Sequence, residues 1–475
     1  MMDKIPLYEQ LASEISHQIE QGTFRAGERI PSVRRSSQLK NLSITTVLQA
    51  YQLLEDRGII EARPQSGYYV RTRRLAAIPE PEVSAPPLDP NTVTIDNLAM
   101  MVLRDTVEPN LVQFGAAIPD PDLLPTAKLN RILAAITRIP DRRQYTCGTP
   151  EGCDELRIQV AQRALTAGCT LAPSEIVITL GCTEAISLAL RAVCKPGDLV
   201  AVESPTYFGI LQALESLGLR ALEIPTHHRE GISLSALRFA LDHHPVRACL
   251  IVTNFNNPLG SCMPDDNKKE LVKMLAAREI PLIEDDIFGE MYYEGDRPKV
   301  AKAYDRKDLV LLCSSFTKDI SPSFRVGWLA PSRFQIKIER LKMASNIATP
   351  IFTQLAIAQF LETGGYDHHL RRIRRAYELK ISAMSQAIIR YFPEGTRVTS
   401  PQGGFVLWVQ LPEEVDSLAL YRLALKSKIT LAPGYIFSAT HKYKNFIRLN
   451  AAYWSEQNSG AVQRLGELVS MLAKH

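Results

Sequence analysis

The sequence lacks any apolar run long enough to cross a bilayer. Its longest charge-free stretch, residues 343–361, has seven Ser, Asn, Thr, Gln or Pro among 19 positions, too polar for a spanning helix. The first residues hold an acid, Asp3, and no unbroken apolar segment, which argues against a secretory leader; a cytoplasmic protein without a membrane partner is expected. Eight cysteines include no C-x-x-C pair, so neither a disulfide framework nor a zinc site is indicated. Nine histidines offer no H-x-x-x-H spacing, and adjacent ones such as His227 and His228 are expected to point apart, so no metal is expected. A large charge excess is missing too: 55 Lys and Arg against 51 Asp and Glu leave +4, too little for bulk basicity to announce nucleic acid.

What is there is a folded chain of several units. Hydrophobic residues at 45% and charged residues at 22% are near globular averages. A length of 475 residues allows two to four domains. The small positive excess is uneven: residues 1–75 hold eleven Lys and Arg against eight Asp and Glu, so +3 of the +4 lies in under a sixth of the chain. Five prolines (79, 81, 86, 87 and 90) mark residues 71–92 as a linker between a unit at 1–70 and a larger one at 93–475. In polyproline geometry, at about 3.1 Å per residue, such a linker reaches roughly 60 Å.

In the first unit, Leu7, Leu11, Ile15 and Ile19 recur at four-residue steps and predict an amphipathic helix ending near Gly22. A second helix is expected from Pro31. A third follows Asn41-Leu42, with Ser43 as its N-cap and Val47, Ala50, Tyr51 and Leu54 facing inward. Residues 59–63 and 67–70 flank Pro64-Gln65-Ser66 and predict a two-stranded wing. Three helices and a hairpin make an α+β winged helix-turn-helix. Gly27-Glu28-Arg29-Ile30-Pro31-Ser32-Val33-Arg34, Ser43-Ile44-Thr45-Thr46-Val47 and Arg63-Pro64-Gln65-Ser66-Gly67-Tyr68 resemble the GntR-type regulator head. That resemblance implies double-stranded DNA as partner. Arg34, Arg35, Ser43, Thr45, Thr46 and Gln49 would face the DNA, with Arg63 and Gly67 of the wing against the backbone or minor groove.

From about residue 111, apolar runs at 175–180, 198–204, 247–254, 280–286 and 308–316 alternate with helical patterns. They predict an α/β fold with a largely parallel sheet, whose ligands bind beyond the carboxyl ends of the strands, and a small C-terminal subdomain at about 345–475. At those ends stand Gly181-Cys182-Thr183-Glu184, a small-residue turn opening a helix and suited to a phosphate, and Glu203-Ser204-Pro205-Thr206-Tyr207. Asn254-Phe255-Asn256-Asn257-Pro258, Glu284-Asp285-Asp286, Ser314-Ser315-Phe316-Thr317-Lys318 and Arg325-Val326-Gly327-Trp328 follow.

In this order the motifs resemble the aminotransferase class I family of fold-type I pyridoxal phosphate proteins, over nearly all of residues 111–475. The resemblance implies pyridoxal 5′-phosphate as cofactor. Lys318 would form the internal aldimine, Asp285 face the pyridine nitrogen, Asn257 bond the phenolic oxygen and Tyr207 stack on the ring. Cys182, Thr183, Ser315 and Arg325 would hold the phosphate, and Arg448, in Phe446-Ile447-Arg448-Leu449-Asn450, a substrate or effector carboxylate. Tyr145 resembles the tyrosine that relatives lend to a neighbouring subunit's phosphate, which implies a homodimer.

The residue types suit this chemistry. A carboxylate keeps the pyridine nitrogen protonated, a lysine near cations and partly desolvated can lose its proton, and arginine offers a planar fork for anions. One position departs: Phe288 stands where many relatives have a tyrosine, so one hydrogen bond to the cofactor is missing and transamination is expected to be weak or vestigial. The basic run Arg371, Arg372, Arg374 and Arg375 reads as a solvated helix face or as an auxiliary DNA track. The fusion resembles the MocR subfamily of GntR-type regulators. It implies a regulator whose cofactor domain senses an amino compound or a B6 vitamer; the alternative is an active aminotransferase with an accessory DNA-binding domain.

Overall fold

A computed structural model of the chain describes residues 6–20, 23–24, 27–56, 59–63, 66–70, 79–93, 97–139 and 141–474. Gly22, Gly58, Pro64, Gln65 and linker residues 71–78 lie outside the described residues. The chain divides into two compact units, 1–78 and 79–475.

In the smaller unit, the head, the apolar spacing yields α1 (Leu7–Glu20), α2 (Val33–Lys40) and α3 (Ile44–Asp56). Ser32 caps α2 by accepting from Arg35 N at 3.3 Å, and α2 stops at Asn41, whose φ of 55° turns the chain left-handed. Ser43 caps α3 by accepting from Thr46 N at 3.1 Å. Leu11, Ile15, Val47, Ala50 and Leu54 close the core with Ile60 and Val70 from the wing. Tyr51 locks it: its hydroxyl donates to Pro31 O at 2.7 Å and lies 2.7 Å from Ser36 Oγ, and its ring meets Tyr68 edge-on at 5.0 Å.

The wing is β1 (Ile60–Arg63) against β2 (Gly67–Val70), in a register pairing Ile60 with Val70 and Arg63 with Gly67. Residues 27–30 add a third strand-like edge that side-chain pattern does not reveal. Gly27 N donates to Val70 O at 2.8 Å, Val70 N to Glu28 O at 2.9 Å and Ile30 N to Tyr68 O at 3.0 Å.

The larger unit has two lobes. Its large sheet comprises β3 (Asn91–Thr92), β4 (Val177–Thr179), β5 (Leu199–Ser204), β6 (Arg220–His227), β7 (Gly231–Ile232), β8 (Val246–Ile251), β9 (Leu282–Asp285), β10 (Val310–Ser315) and β11 (Gly327–Ala330). The order is β3-β6-β5-β8-β9-β10-β11-β4, with β7 on β6. The run from β6 to β10 is parallel, while β3, β11 and β4 join antiparallel.

Both faces of this sheet are covered, which is why its strands read as continuous apolar runs. Val200, Val202, Leu250, Ile283 and Leu311 face one core, and Ala201, Leu222, Ile224, Cys249 and Ile251 the other. Helices α4 (Asn97–Arg104), α5 (Thr126–Arg138), α6 (Asp154–Thr166) and α7 (Cys182–Val193) flank these strands in sequence, α7 starting directly beyond β4.

The small lobe carries a four-stranded antiparallel sheet, β12 (Arg397–Val398), β13 (Val406–Gln410), β14 (Ala432–Pro433) and β15 (Phe446–Asn450), in the order β12-β13-β15-β14. The sequence pattern missed β6, which contains Pro225, the four-residue β11 and this small sheet.

Three expectations change. The linker reading of 71–92 does not describe residues 79–92 as a loose tether, because their carbonyls and side chains find partners on the large unit. Pro79 O accepts from Val398 N at 3.1 Å, Ser84 Oγ donates to Ser204 O at 2.7 Å, and β3 pairs with β6. His227 and His228 do not point apart; the chain turns as β6 ends and their rings stack at 4.2 Å. The basic run lies on the helix Gly365–Tyr391, where Arg372 donates to Leu123 O at 2.5 Å, Arg374 to Glu290 O at 2.7 Å and Arg375 to Glu378 at 2.9 Å. Those three arginines bond within the large unit, with Arg372 still exposed, so the run is not simply a solvated face.

Candidate cofactor site and DNA-contact surface

The large sheet ends its strands with polar side chains that the core cannot absorb, and these converge. Asp285 closes β9, 4% exposed, and its Oδ1 accepts from Cys182 Sγ at 3.3 Å and Ile287 N at 3.0 Å. Burial pushes its carboxyl up to about 6, while those two hydrogen bonds and the Lys318 cation pull the other way. Lys318 follows β10, and its Nζ donates to Ala117 O at 2.6 Å. Burial first, then the neighbouring Arg448 charge, brings its ammonium down to about 8, with Asp285 opposing. A lysine so placed reaches its neutral, nucleophilic form near physiological pH.

Arg448 sits in β15 with no exposed surface. It donates to Asn257 Oδ1 at 3.2 Å and to Gly115 O, and its Nε has no partner. Among the described residues no carboxylate pairs with it, and burial lowers its pKa to about 10. A buried guanidinium in that state favours an incoming anion.

A second anion cradle lies at the start of α7. Gly181 caps the helix at φ 84°, and a Cβ there would stand 2.9 Å from the Arg325 guanidinium, which donates to Leu180 O at 3.2 Å. Thr183 is exposed in the first turn of α7, so unpaired amides and a cation face the same opening. Ser315, 5% exposed, closes β10 and bonds Thr317 through its hydroxyl at 3.0 Å. Tyr207 caps the helix Phe208–Ser216, and its ring packs on Phe208 at 4.6 Å. The electrostatic environments of Tyr207 and Lys318 both include Asp285, Cys182, Arg325 and Arg448, so these groups form one cluster.

Phe288 is 1% exposed; Lys318 Nζ stands 5.6 Å from its ring centroid, and Phe405 meets it edge-on at 5.3 Å. No hydroxyl is present at that position. Tyr145 stands apart from the cluster, 77% exposed at the end of the short turn Arg142–Tyr145. Sequence reasoning missed the Gly115 and Ala117 carbonyls, since main-chain acceptors leave no residue-type signal. It also placed Cys182 only at the phosphate turn and did not foresee that its thiol donates to Asp285.

On the head, Arg34 and Arg35 are exposed on α2, and Thr45 and Gln49 are exposed one turn apart on α3. The other four residues expected at DNA have partners within the head. Ser43 and Thr46 share a 2.8 Å hydroxyl contact at the cap. Arg63 bonds Glu61 at 2.9 and 2.6 Å and lies 4.4 Å over Tyr69. Gly67, at φ 109°, leaves room for Arg29, whose Nε would stand 3.0 Å from a Cβ.

A winged helix-turn-helix joined to an aminotransferase-like unit with a partly buried lysine beside a buried aspartate and arginine defines a class, and comparison with known proteins specifies it. Residues 7–70 match the model for bacterial regulatory proteins of the gntR family, and residues 113–465 match that for aminotransferase class I and II. The chain belongs to the aminotransferase class I and II family and carries a GntR-type head, a MocR-like architecture; it is a DNA-binding transcriptional regulator with an aminotransferase-like domain.

It is 42% identical over 463 residues to an uncharacterized HTH-type transcriptional regulator, YdcR, of Escherichia coli (strain K12), covering 97% of this chain and 98% of that one. A 2-aminoadipate transaminase of Thermus thermophilus is 30% identical over 377 residues, 78% of this chain and 93% of its own. The crystal structure of a Pyrococcus horikoshii kynurenine aminotransferase in complex with PMP matches with a TM-score of 0.74 at 28% identity, covering 80% of this chain and 95% of that one. Among the described residues, no helix is long and apolar enough to cross a membrane, and no group of three His, Cys, Asp or Glu could hold a metal ion.

Proposed function

We propose that the protein is a cytoplasmic regulator that binds operator DNA through its head and senses an amino compound or a B6 vitamer through pyridoxal 5′-phosphate held at Lys318. The observation that carries this reading is the buried cluster of a lysine with a depressed pKa, a carboxylate and an arginine without an acidic partner. When bound, the cofactor supplies an aldehyde for amines and a ring that withdraws electrons. Lys318 would hold it covalently, Asp285 keep a proton at the ring nitrogen, Asn257 bond the phenolic oxygen and Tyr207 cover the ring. The turn of Cys182 and Thr183, with Ser315 and Arg325, would take the phosphate, leaving Arg448 for a carboxylate on the effector.

The hydrocarbon ring of Phe288 favours sensing over turnover, because it removes one donor to the phenolic oxygen. Arg34, Arg35, Thr45 and Gln49, exposed on α2 and α3, would contact phosphates and base edges, with Ser43 and Thr46 at the helix start and Arg63 and Gly67 in the wing shaping the approach. A homodimer completes the reading. Tyr145 is 77% exposed, and Met100, Met101 and Leu103 expose apolar surface on α4 that a second copy would cover, bringing Tyr145 to its partner's phosphate cradle.

Regulation requires the effector to bind two arrangements unequally, by about 1–3 kcal/mol. The test is a screen of amino acids, amines and B6 vitamers against the loaded protein, reading the absorbance of the bound cofactor and the rate of keto-acid formation in parallel. Spectral shifts without sustained turnover are the expected result. Turnover at ordinary enzyme rates would replace this reading with that of a working aminotransferase bearing an accessory head.

A further inference from the structure

Residues 79–84 are the first stretch of the large unit after the head, and they divide their polar groups between its two lobes. Toward the small sheet, Pro79 O accepts from Val398 N at 3.1 Å, Glu82 N donates to Gln410 Oε1 at 3.0 Å, and Glu82 Oε1 accepts from Arg397 at 2.8 Å. Toward the large sheet, Glu80 Oε2 accepts from His228 Nε2 at 2.7 Å and Arg229 Nε at 2.8 Å, at the end of β6. Ser84 Oγ donates at 2.7 Å to the carbonyl of Ser204, the last residue of β5.

The contact of Glu80 with His228 is withdrawn from solvent, although Arg229 is exposed: the Glu80 side chain is 16% exposed, that of His228 12%, and Glu80 Oε1 and His228 Nδ1 are buried without a partner. Screening by water is therefore weak there, and losing one member costs more than at an exposed pair. Ser204 also opens the turn that carries Tyr207. Its hydroxyl lies 2.8 Å from Tyr443 OH, and Thr206 N donates to Phe437 O at 3.0 Å, both partners belonging to the small lobe.

We infer that residues 79–84 form a clasp across the two lobes that passes a change at the Tyr207 turn, or in the spacing of the lobes, to the chain leading to the head. Six residues span at most about 20 Å even when fully extended. Hydrogen bonds tolerate only a few tenths of an ångström of stretch. The lobes therefore cannot separate without releasing one set of contacts, and the set released decides which lobe Pro79 follows. The clasp stands on its contacts alone; its role as a conduit rests on the function proposed above.

The test compares wild type with Glu80→Ala and Glu80→Gln by hydrogen exchange. It also measures affinity for a duplex selected by the wild-type protein, before and after loading with pyridoxal 5′-phosphate. Glu80→Ala should raise exchange at the Val398 and Glu82 amides by roughly tenfold or more while leaving β5 and β8 unchanged. Glu80→Gln, which keeps an acceptor, should fall between. In Glu80→Ala the cofactor absorbance should persist while the loading-dependent change in duplex affinity shrinks to under about twofold. Unchanged exchange overturns the clasp. Raised exchange with a full loading response overturns the conduit. A wild-type protein whose duplex affinity responds neither to loading nor, once loaded, to any amino compound overturns the proposed function and the conduit together, whereas the exchange result still decides the clasp.

Discussion

The head and the large unit treat their charged side chains in opposite ways. On the head, Arg34 and Arg35 stand exposed around a small core of Leu11, Ile15, Val47, Tyr51 and Leu54. In the large unit, Asp285 and Arg448 are withdrawn from water, and Lys318 is partly so, its charge disfavoured by burial. Contacts to DNA are made by solvated cations that release counterions when they meet phosphate, so they gain nothing from earlier desolvation. A nucleophilic amine needs the reverse, because only a disfavoured ammonium gives up its proton near neutral pH. One chain thus holds two electrostatic regimes, and substitutions should respect the division.

The strongest break is Lys318→Ala, which should abolish the absorbance of covalently held pyridoxal 5′-phosphate while leaving the unloaded protein's duplex affinity unchanged. Retained absorbance would remove Lys318 from the attachment point. Next, Arg448→Met should cost carboxylate-bearing ligands about 2–5 kcal/mol, read by titration, because their anion would be left without its partner. In a melting experiment the ligand-free protein should lose little, since the buried cation it gives up had no acid to pair with.

On the other side of the division, Arg34→Ala should weaken duplex binding by about 1–3 kcal/mol and lower its salt dependence, with cofactor loading intact. A pH series sharpens the contrast further. With the Lys318 ammonium brought down to about 8, capture of pyridoxal 5′-phosphate by the unloaded protein should accelerate about tenfold per unit as pH rises toward 8, then level off. A rise continuing to pH 10 would mean an ordinary, solvated lysine. The smallest effect belongs to Ser32→Ala, which removes the cap on Arg35 N and should cost the head about 1 kcal/mol in denaturant melts without touching the cofactor.

The sequence reveals those parts that side-chain pattern records. Leu7, Leu11 and Ile15 announced α1, and Val47, Ala50, Tyr51 and Leu54 announced the inner face of α3. Apolar runs announced β5, β8, β9 and β10, whose two buried faces leave no alternation to disguise them. Motif order placed Asp285, Asn257 and Lys318 at or beyond strand ends and singled out Arg448, which lies within β15. Main-chain bonding escaped: the edge at residues 27–30, and the carbonyls of Gly115 and Ala117 that accept from Arg448 and Lys318. The docking of residues 79–92 escaped as well, because prolines that forbid a helix leave carbonyls free to accept from a neighbouring strand. The Arg63–Glu61 pair escaped for a different reason: a lone basic residue in a wing carries no sign of the acid it answers.

The most direct measurement is the affinity of the loaded protein for its selected duplex, taken with and without the amino compound that most alters cofactor absorbance, in wild type and in Lys318→Ala. A change of at least about fivefold in wild type and none in the variant is predicted. Equal affinities with and without the compound in wild type, or the same change in both proteins, would contradict control of the head by chemistry at Lys318.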